Sequence, residues 1–238
     1  MEEVLDRILD VFEVWGLFIV LGVYLLALLF QVLVKSRFSR YSKILNSVGM
    51  TGADAAAAVL RLHGVTGVGI QRVSGDLTDH YDPKNGVINL SEKVYDTASV
   101  AAVGIAAHEA GHAVQHAEEY FPIRVRTAII PITNIGSRLS TPLLIAGLIF
   151  SLYPLALAGV ILFGTCVVFQ LVTLPVEFNA SRRAMAALKE AASFSDADLS
   201  GARKMLSAAA MTYVAALAVA LTQFLRLLAI VTSGRRRD

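Results

Sequence analysis

The sequence has a single cysteine in 238 residues. Cys166 therefore closes no disulfide within the chain, and no multi-cysteine zinc site can be built. Charge is scarce: 17 % of residues are charged, where a water-soluble domain carries about 25 %. The net charge of +2 is too small to argue for a nucleic-acid partner, and no basic stripe interleaved with aromatics runs through the chain. Repeats and low-complexity linkers are missing as well. What the sequence has is apolar surface, with 55 % hydrophobic residues and a mean hydropathy of +0.61. That excludes disorder and calls for a solvent other than water. A bilayer fits.

The first apolar run, Trp15 to Val34, contains no charge. Twenty residues at 1.5 Å each give roughly 30 Å, the thickness of the hydrocarbon core. A signal peptide would want a basic front end and a cleavage site. Here Glu2, Glu3, Asp6, Asp10 and Glu13 precede the run, and Lys35, Arg37, Arg40 and Lys43 follow it. The pattern predicts an uncleaved anchor with its following segment on the cytoplasmic side. A second apolar region, Leu139 to Val176, contains Pro142, Pro154 and Pro175. A turn around Ser151 to Pro154 would split it into two crossings, near 135–152 and 155–174; the competing reading is one long tilted helix. The last apolar segment, Ala208 to Val231, is interrupted by Gln223 and Arg226 and followed by Arg235, Arg236 and Arg237. It stays open between a span and an amphipathic helix.

Between these regions, Tyr41 to Arg126 reads as a soluble domain. Thr51 starts an alanine-rich helix. Gly67 to Val73 and Gly86 to Leu90 are β-prone, separated by turn residues from Asp82 to Gly86. Ser91 is placed to cap a short helix. From about Thr97 to Gln115 the alanine-rich composition predicts a buried helix.

That helix contains His108-Glu109-Ala110-Gly111-His112, an HExxH. Histidines four apart lie about 40° apart on one helical face, so both imidazoles can reach one ion. Zinc takes imidazole nitrogen and leaves room for a third ligand and a water. Glu109, on a neighbouring face, can take a proton from that water. The flanks, Gly104, Ala106, Ala107, Ala110, Gly111 and Ala113, are small and apolar, so an idle histidine pair here would be costly to bury. They also leave room for another backbone to come close.

A third histidine six residues on, with a glycine between, is not present. His116 lies about 6 Å further along the axis than His112, too far for easy joint ligation. The remaining pattern is the gluzincin one, with a glutamate from a later helix. Glu177 is the candidate: it follows Pro175, which suits a first helical turn or a kink, and a carboxylate after so many uncharged residues needs a partner or a metal. The competing reading pairs it with Arg182 or Arg183. A shared ion requires an even number of crossings between His112 and Glu177, which two crossings satisfy. Arg182, Arg183, Lys189, Arg203 and Lys204 then also fall inside.

These blocks carry a family resemblance. Leu77 to Pro83, Ala106 to Gln115, Thr173 to Ala184 and Ala208 to Ala216, in this order behind an N-terminal anchor, are similar to the YugP-type neutral zinc metallopeptidases, membrane proteins of bacteria. The resemblance covers nearly the whole chain. It implies a peptidase with one zinc per chain, a protein or peptide substrate, and a site in the bacterial inner membrane facing the cytoplasm. One departure from the wider gluzincin pattern is Ser181, where many such enzymes have an aspartate four residues after the ligand glutamate. Asp79 and Asn179 are the candidates left for orienting the zinc histidines.

The expected fold is a mainly α integral membrane protein with a small β element, three to four transmembrane helices and a zincin-like (gluzincin) HExxH helix in a membrane-associated domain. Residues 1–38 would be an anchor, 39–130 a soluble zincin-like domain, 131–176 a transmembrane hairpin, and 177–238 the third-ligand helix and a C-terminal apolar helix. His108, His112 and Glu177 are the expected metal ligands and Glu109 the general base. His80 and Tyr213 are candidate oxyanion donors. Against these stand a loop tied by Asp79 and Asp82 through local hydrogen bonds and an interfacial aromatic. Cys166 is expected to pack. Gly147, Ala156, Ala158, Gly159 and Gly164 could support close helix contacts, including between copies of the chain. A catalytically idle, zinc-stabilised scaffold is the alternative function. A transporter would need polar positions spread through the spans.

Overall fold

The computed structural model describes residues 2–237, with side chains for residue 4 and residues 7–233. The side chains of Glu2, Glu3 and Asp6 and of Arg235 to Arg237, part of the charge pattern above, lie outside these. In chain order the elements are α1 (Glu2–Tyr41), α2 (Gly52–Leu62), β1 (Gly69–Val73), β2 (His80–Asp82), β3 (Val87–Ser91), α3 (Glu92–Tyr95), α4 (Val100–Ala117), α5 (Phe121–Ile149), α6 (Tyr153–Ala191) and α7 (Asp196–Arg237). Among the described residues four helices are long and apolar enough to cross a membrane: Arg7–Tyr41, Phe121–Ile149, Tyr153–Ala191 and Asp196–Ser233. The stretch 208–231, left open by its sequence, lies inside one of them.

The chain divides into two compact units. The first comprises Met1–Leu29, Val125–Leu174 and Thr212–Asp238. Its apolar side chains largely face outward: Leu25 and Leu29 on α1 are 63 % and 65 % exposed, as lipid-facing positions should be. Inside it, α5 and α6 approach through small residues. A Cβ on Gly147 would collide with the backbone of Ala156, and one on Gly159 would stand 2.6 Å from Leu144 N. These small residues thus serve packing within one chain. The turn between the two helices places Ser151 in the left-handed region, at φ 54°, and Leu152 N–H closes it on Gly147 O at 2.8 Å. Proline does not end the helices: Pro131 and Pro142 lie within α5 and Pro175 within α6. Helix α6 therefore runs through the end of the apolar stretch instead of restarting there.

The second unit comprises Phe30–Arg124 and Pro175–Met211. Helix α2 begins with a capping box, Thr51 accepting from Asp54 N–H while Asp54 accepts from Thr51 N–H. Ser99 caps α4 by accepting from Ala102 N–H at 3.1 Å. The sheet has the order β1-β3-β2, with β1 and β3 parallel and β2 antiparallel to β3. Strand β2 occupies what reads in sequence as a loop. It is three polar residues long, too short for any alternation to register. Helix α4 is the centre of this unit: Ala101, Ala102, Ala106, Ala107 and Ala110 have no exposed surface, and the core around them draws on α2, β3, α3, α6 and α7.

Candidate metal centre

The packing of α6 on α4 depends on Gly111, the fourth residue of HExxH. A Cβ there would lie 2.8 Å from Ala180 O, closer than side-chain carbons come to a carbonyl oxygen. Without one, the α6 backbone reaches the α4 surface. Glu177 then stands one turn before Ser181 on the α6 face that meets the two histidines.

His108, His112 and Glu177 each offer a ligand atom within 4.8 Å of the other two. Glu177 Oε2 lies 3.3 Å from His108 Nε2 and 3.5 Å from His112 Nε2. Tetrahedral zinc, with bonds of about 2.0–2.2 Å, sets neighbouring ligand atoms about 3.3–3.6 Å apart. Glu177 is 2 % exposed, and its Oε2 is buried without a hydrogen bond. A buried carboxylate oxygen with no donor costs several kcal/mol, and a cation at the common point of the three groups removes that cost. Electrostatics agrees. Burial pulls the His112 pKa down, but the facing Glu177 carboxylate, helped by Glu109, outweighs it and holds the imidazole above its ordinary value. The site favours positive charge. The donor set, two imidazoles and a carboxylate, suits zinc.

Each imidazole is held from behind. Ser181 Oγ is 3.1 Å from His108 Nδ1, and Gln115 Oε1 is 3.0 Å from His112 Nδ1. With those oxygens accepting, each ring carries its proton on Nδ1 and turns the Nε2 lone pair to the metal position. Gln115 has no exposed surface and donates through Nε2 to Val176 O at 2.8 Å and Asn179 Oδ1 at 2.9 Å. Asn179 Oδ1 also accepts from Arg183 Nε at 2.7 Å. Arg183 pairs with Glu118 at 2.7 Å and Glu118 with His63 at 3.3 Å. A continuous polar chain thus runs from His112 to α2. Arg183 pairs with Glu118 and not with Glu177.

Glu109 is fixed by the sheet: its Oε2 accepts from Tyr81 N–H on β2 at 3.0 Å. His80, one residue earlier, has both ring nitrogens engaged, Nδ1 with Thr78 O at 2.8 Å and Nε2 with the Asn89 amide at 3.1 Å. Donation from its Nε2 to a substrate oxygen would require breaking the Asn89 contact. Local hydrogen bonds hold the segment together. Asp82 accepts from Lys84 N–H at 2.9 Å and from the Asn85 amide at 2.6 Å, and Asp79 accepts from Ser91 N–H at 2.7 Å. Burial pushes the Asp79 carboxyl above its ordinary pKa, against the Ser91 bonds that lower it.

Of the two candidates for orienting the histidines, Asp79 is therefore spent on Ser91, and Asn179 stands one step out, behind Gln115. The direct partners are Gln115 and Ser181: the serine stands at the position where the gluzincin pattern has an aspartate and contacts His108 in its place, whereas Gln115 escapes a sequence reading. The available signal for Gln115 is an amide three residues after His112 in an otherwise apolar run. The His116 ring lies 5.5 Å from that of Tyr81 and outside the metal-ligand group. Tyr213 is half-buried on α7 within the first unit, and Cys166 is half-buried on α6 in the same unit.

Comparison with known proteins converges on the same chemistry. Residues 16–232 match the model of a family described as "Putative neutral zinc metallopeptidase". The chain is similar to the "Putative membrane protease YugP" of Bacillus subtilis (strain 168), at 44 % identity over 221 residues, covering 92 % of this chain and 98 % of that protein. No solved structure matches the chain.

Proposed function

The chain belongs to the family of neutral zinc metallopeptidases, and on that premise we propose that it is a membrane-bound zinc endopeptidase of gluzincin type. His108, His112 and Glu177 hold the ion and Glu109 serves as general base. The observation that carries the assignment is the buried, unbonded Oε2 of Glu177, set at zinc-ligand spacing from both HExxH imidazoles. One zinc per chain held there supplies a Lewis acid that polarises a peptide carbonyl and acidifies a water. The protein does the rest. Gln115 and Ser181 fix the tautomer and rotation of each imidazole. Glu109, held by Tyr81 N–H, takes a proton from the attacking water and returns it to the leaving amine. Strand β2 is an edge strand beside this carboxylate, so a substrate segment can lie along it in extended form.

In this reading residues 1–38 anchor the chain, 39–130 carry the HExxH helix, 131–176 form a transmembrane hairpin, and 177–238 supply the third ligand and a last apolar helix. The basic residues after the first span and those beyond Glu177 support a multi-pass protein of the bacterial inner membrane with its site toward the cytoplasm. Substrates are protein segments at the membrane.

Two variants test the assignment. Glu109→Gln should keep one zinc per chain while hydrolysis of an unfolded protein substrate falls by about 10²-fold or more. Turnover surviving in Glu109→Gln removes Glu109 as the base; wild-type protein that holds zinc yet hydrolyses nothing favours the idle scaffold. Glu177→Ala should lower zinc content, and equal zinc in this variant and wild type eliminates Glu177 as a ligand.

A further inference from the structure

The peptidase reading leaves one large feature of the second unit unused. Between the portions of α6 and α7 in that unit lies a groove of about 620 Å³. Its walls are apolar: Phe178 and Met185 come from α6, Leu206 and Met211 from α7. Phe178 is 48 % exposed, a large ring left uncovered beside the metal-bearing turn. The groove is bordered by Arg182, Lys189 and Arg203, all exposed. Among the described residues none of the three makes an ion pair. No carboxylate lines the groove itself; Asp196 shares an adjoining cleft of about 270 Å³ with Lys189 and Arg203. Three cations and no carboxylate in the lining of an apolar groove call for a ligand with an anionic head and an apolar body.

The polar content of the groove decides between candidates of that description. Its side-chain hydroxyls are those of Ser181 and Ser207, and Ser181 is committed to His108. A peptide buried there would leave backbone N–H and C=O groups unpaired, at a cost of a few kcal/mol each. An acyl chain has no such groups.

We propose that this groove binds an anionic phospholipid, its acyl chain against Phe178, Met185 and Leu206 and its phosphate between Arg182, Lys189 and Arg203. The lipid is a bound ligand, distinct from the substrate, which has the edge of β2. The experiment uses the full chain in phosphatidylcholine vesicles doped with a photoreactive phosphatidylglycerol, with cross-links located by mass spectrometry. Cross-links are expected within residues 178–211, suppressed by excess unlabelled phosphatidylglycerol and not by phosphatidylcholine. Arg182→Gln combined with Arg203→Gln should weaken that competition about 25-fold, fivefold for each cation removed. Ala186 also lines the groove and is exposed, so Ala186→Trp should fill it and abolish the cross-links while zinc content stays at the wild-type level. Equal competition by phosphatidylcholine, or undiminished labelling in the charge variant, overturns the proposal. So does displacement by an apolar peptide with an acidic end but not by phosphatidylglycerol, which would give the groove to a substrate. The competition with wild-type protein decides by itself if a variant does not fold.

Discussion

Helices α1 and α4 are both strongly apolar, yet they meet opposite surroundings. Helix α1 is built from leucine, valine and phenylalanine and leaves those side chains exposed, Leu25 and Leu29 among them. Helix α4 is built from alanine, glycine and valine and is buried nearly all round. Hydrophobicity alone does not separate them; side-chain size does. Large residues present a smooth apolar surface to lipid, whereas small ones let neighbouring backbones approach. Only the second arrangement can bring a carboxylate from another helix onto two histidines.

The same substitution in the two helices sharpens this contrast. Gly111→Ala should have the largest effect, because the new methyl meets the Ala180 carbonyl. Stability should fall by about 1–3 kcal/mol, and zinc content, measured on purified protein, should fall with it as Glu177 is pushed back. Gln115→Leu comes next. It keeps the bulk of the side chain but leaves Nδ1 of His112 without its acceptor, so zinc affinity should drop about 10–100-fold, read by chelator competition. Gly22→Ala on α1 should have the smallest effect. A Cβ there meets nothing within 4 Å, and alanine favours the helix by roughly 0.5–1 kcal/mol, so the melting temperature should hold or rise slightly. A loss at Gly22 comparable to that at Gly111 would break the contrast.

Much of the site was legible in order and spacing alone. The HExxH pair needs only helical periodicity, and Glu177 is conspicuous as a carboxylate following a long uncharged run. The first helix is equally plain, since twenty uncharged residues predict one long and apolar enough to cross a membrane, as Arg7–Tyr41 is. What stayed hidden depends on tertiary placement. Gln115 is an ordinary polar residue until the fold aims it at an imidazole, and Ser181, a flagged position, gave no sign that a hydroxyl would serve there. Strand β2 exists because β3 pairs with it on one side and Glu109 takes an amide on the other, neither of which leaves a trace in His80-Tyr81-Asp82. The extent of α6 was hidden for a different reason. Hydropathy falls beyond Val176, while the helix itself continues through Pro175.

The tight fit at Gly111 also bears on how such a centre would be mapped. Scanning by alanine is designed to delete groups and read the loss. At this position alanine is the enlarging replacement, and no natural amino acid is smaller than the one already there. A scan would record a failure there with no deleted group to explain it, since what the position contributes is clearance for a neighbouring main chain.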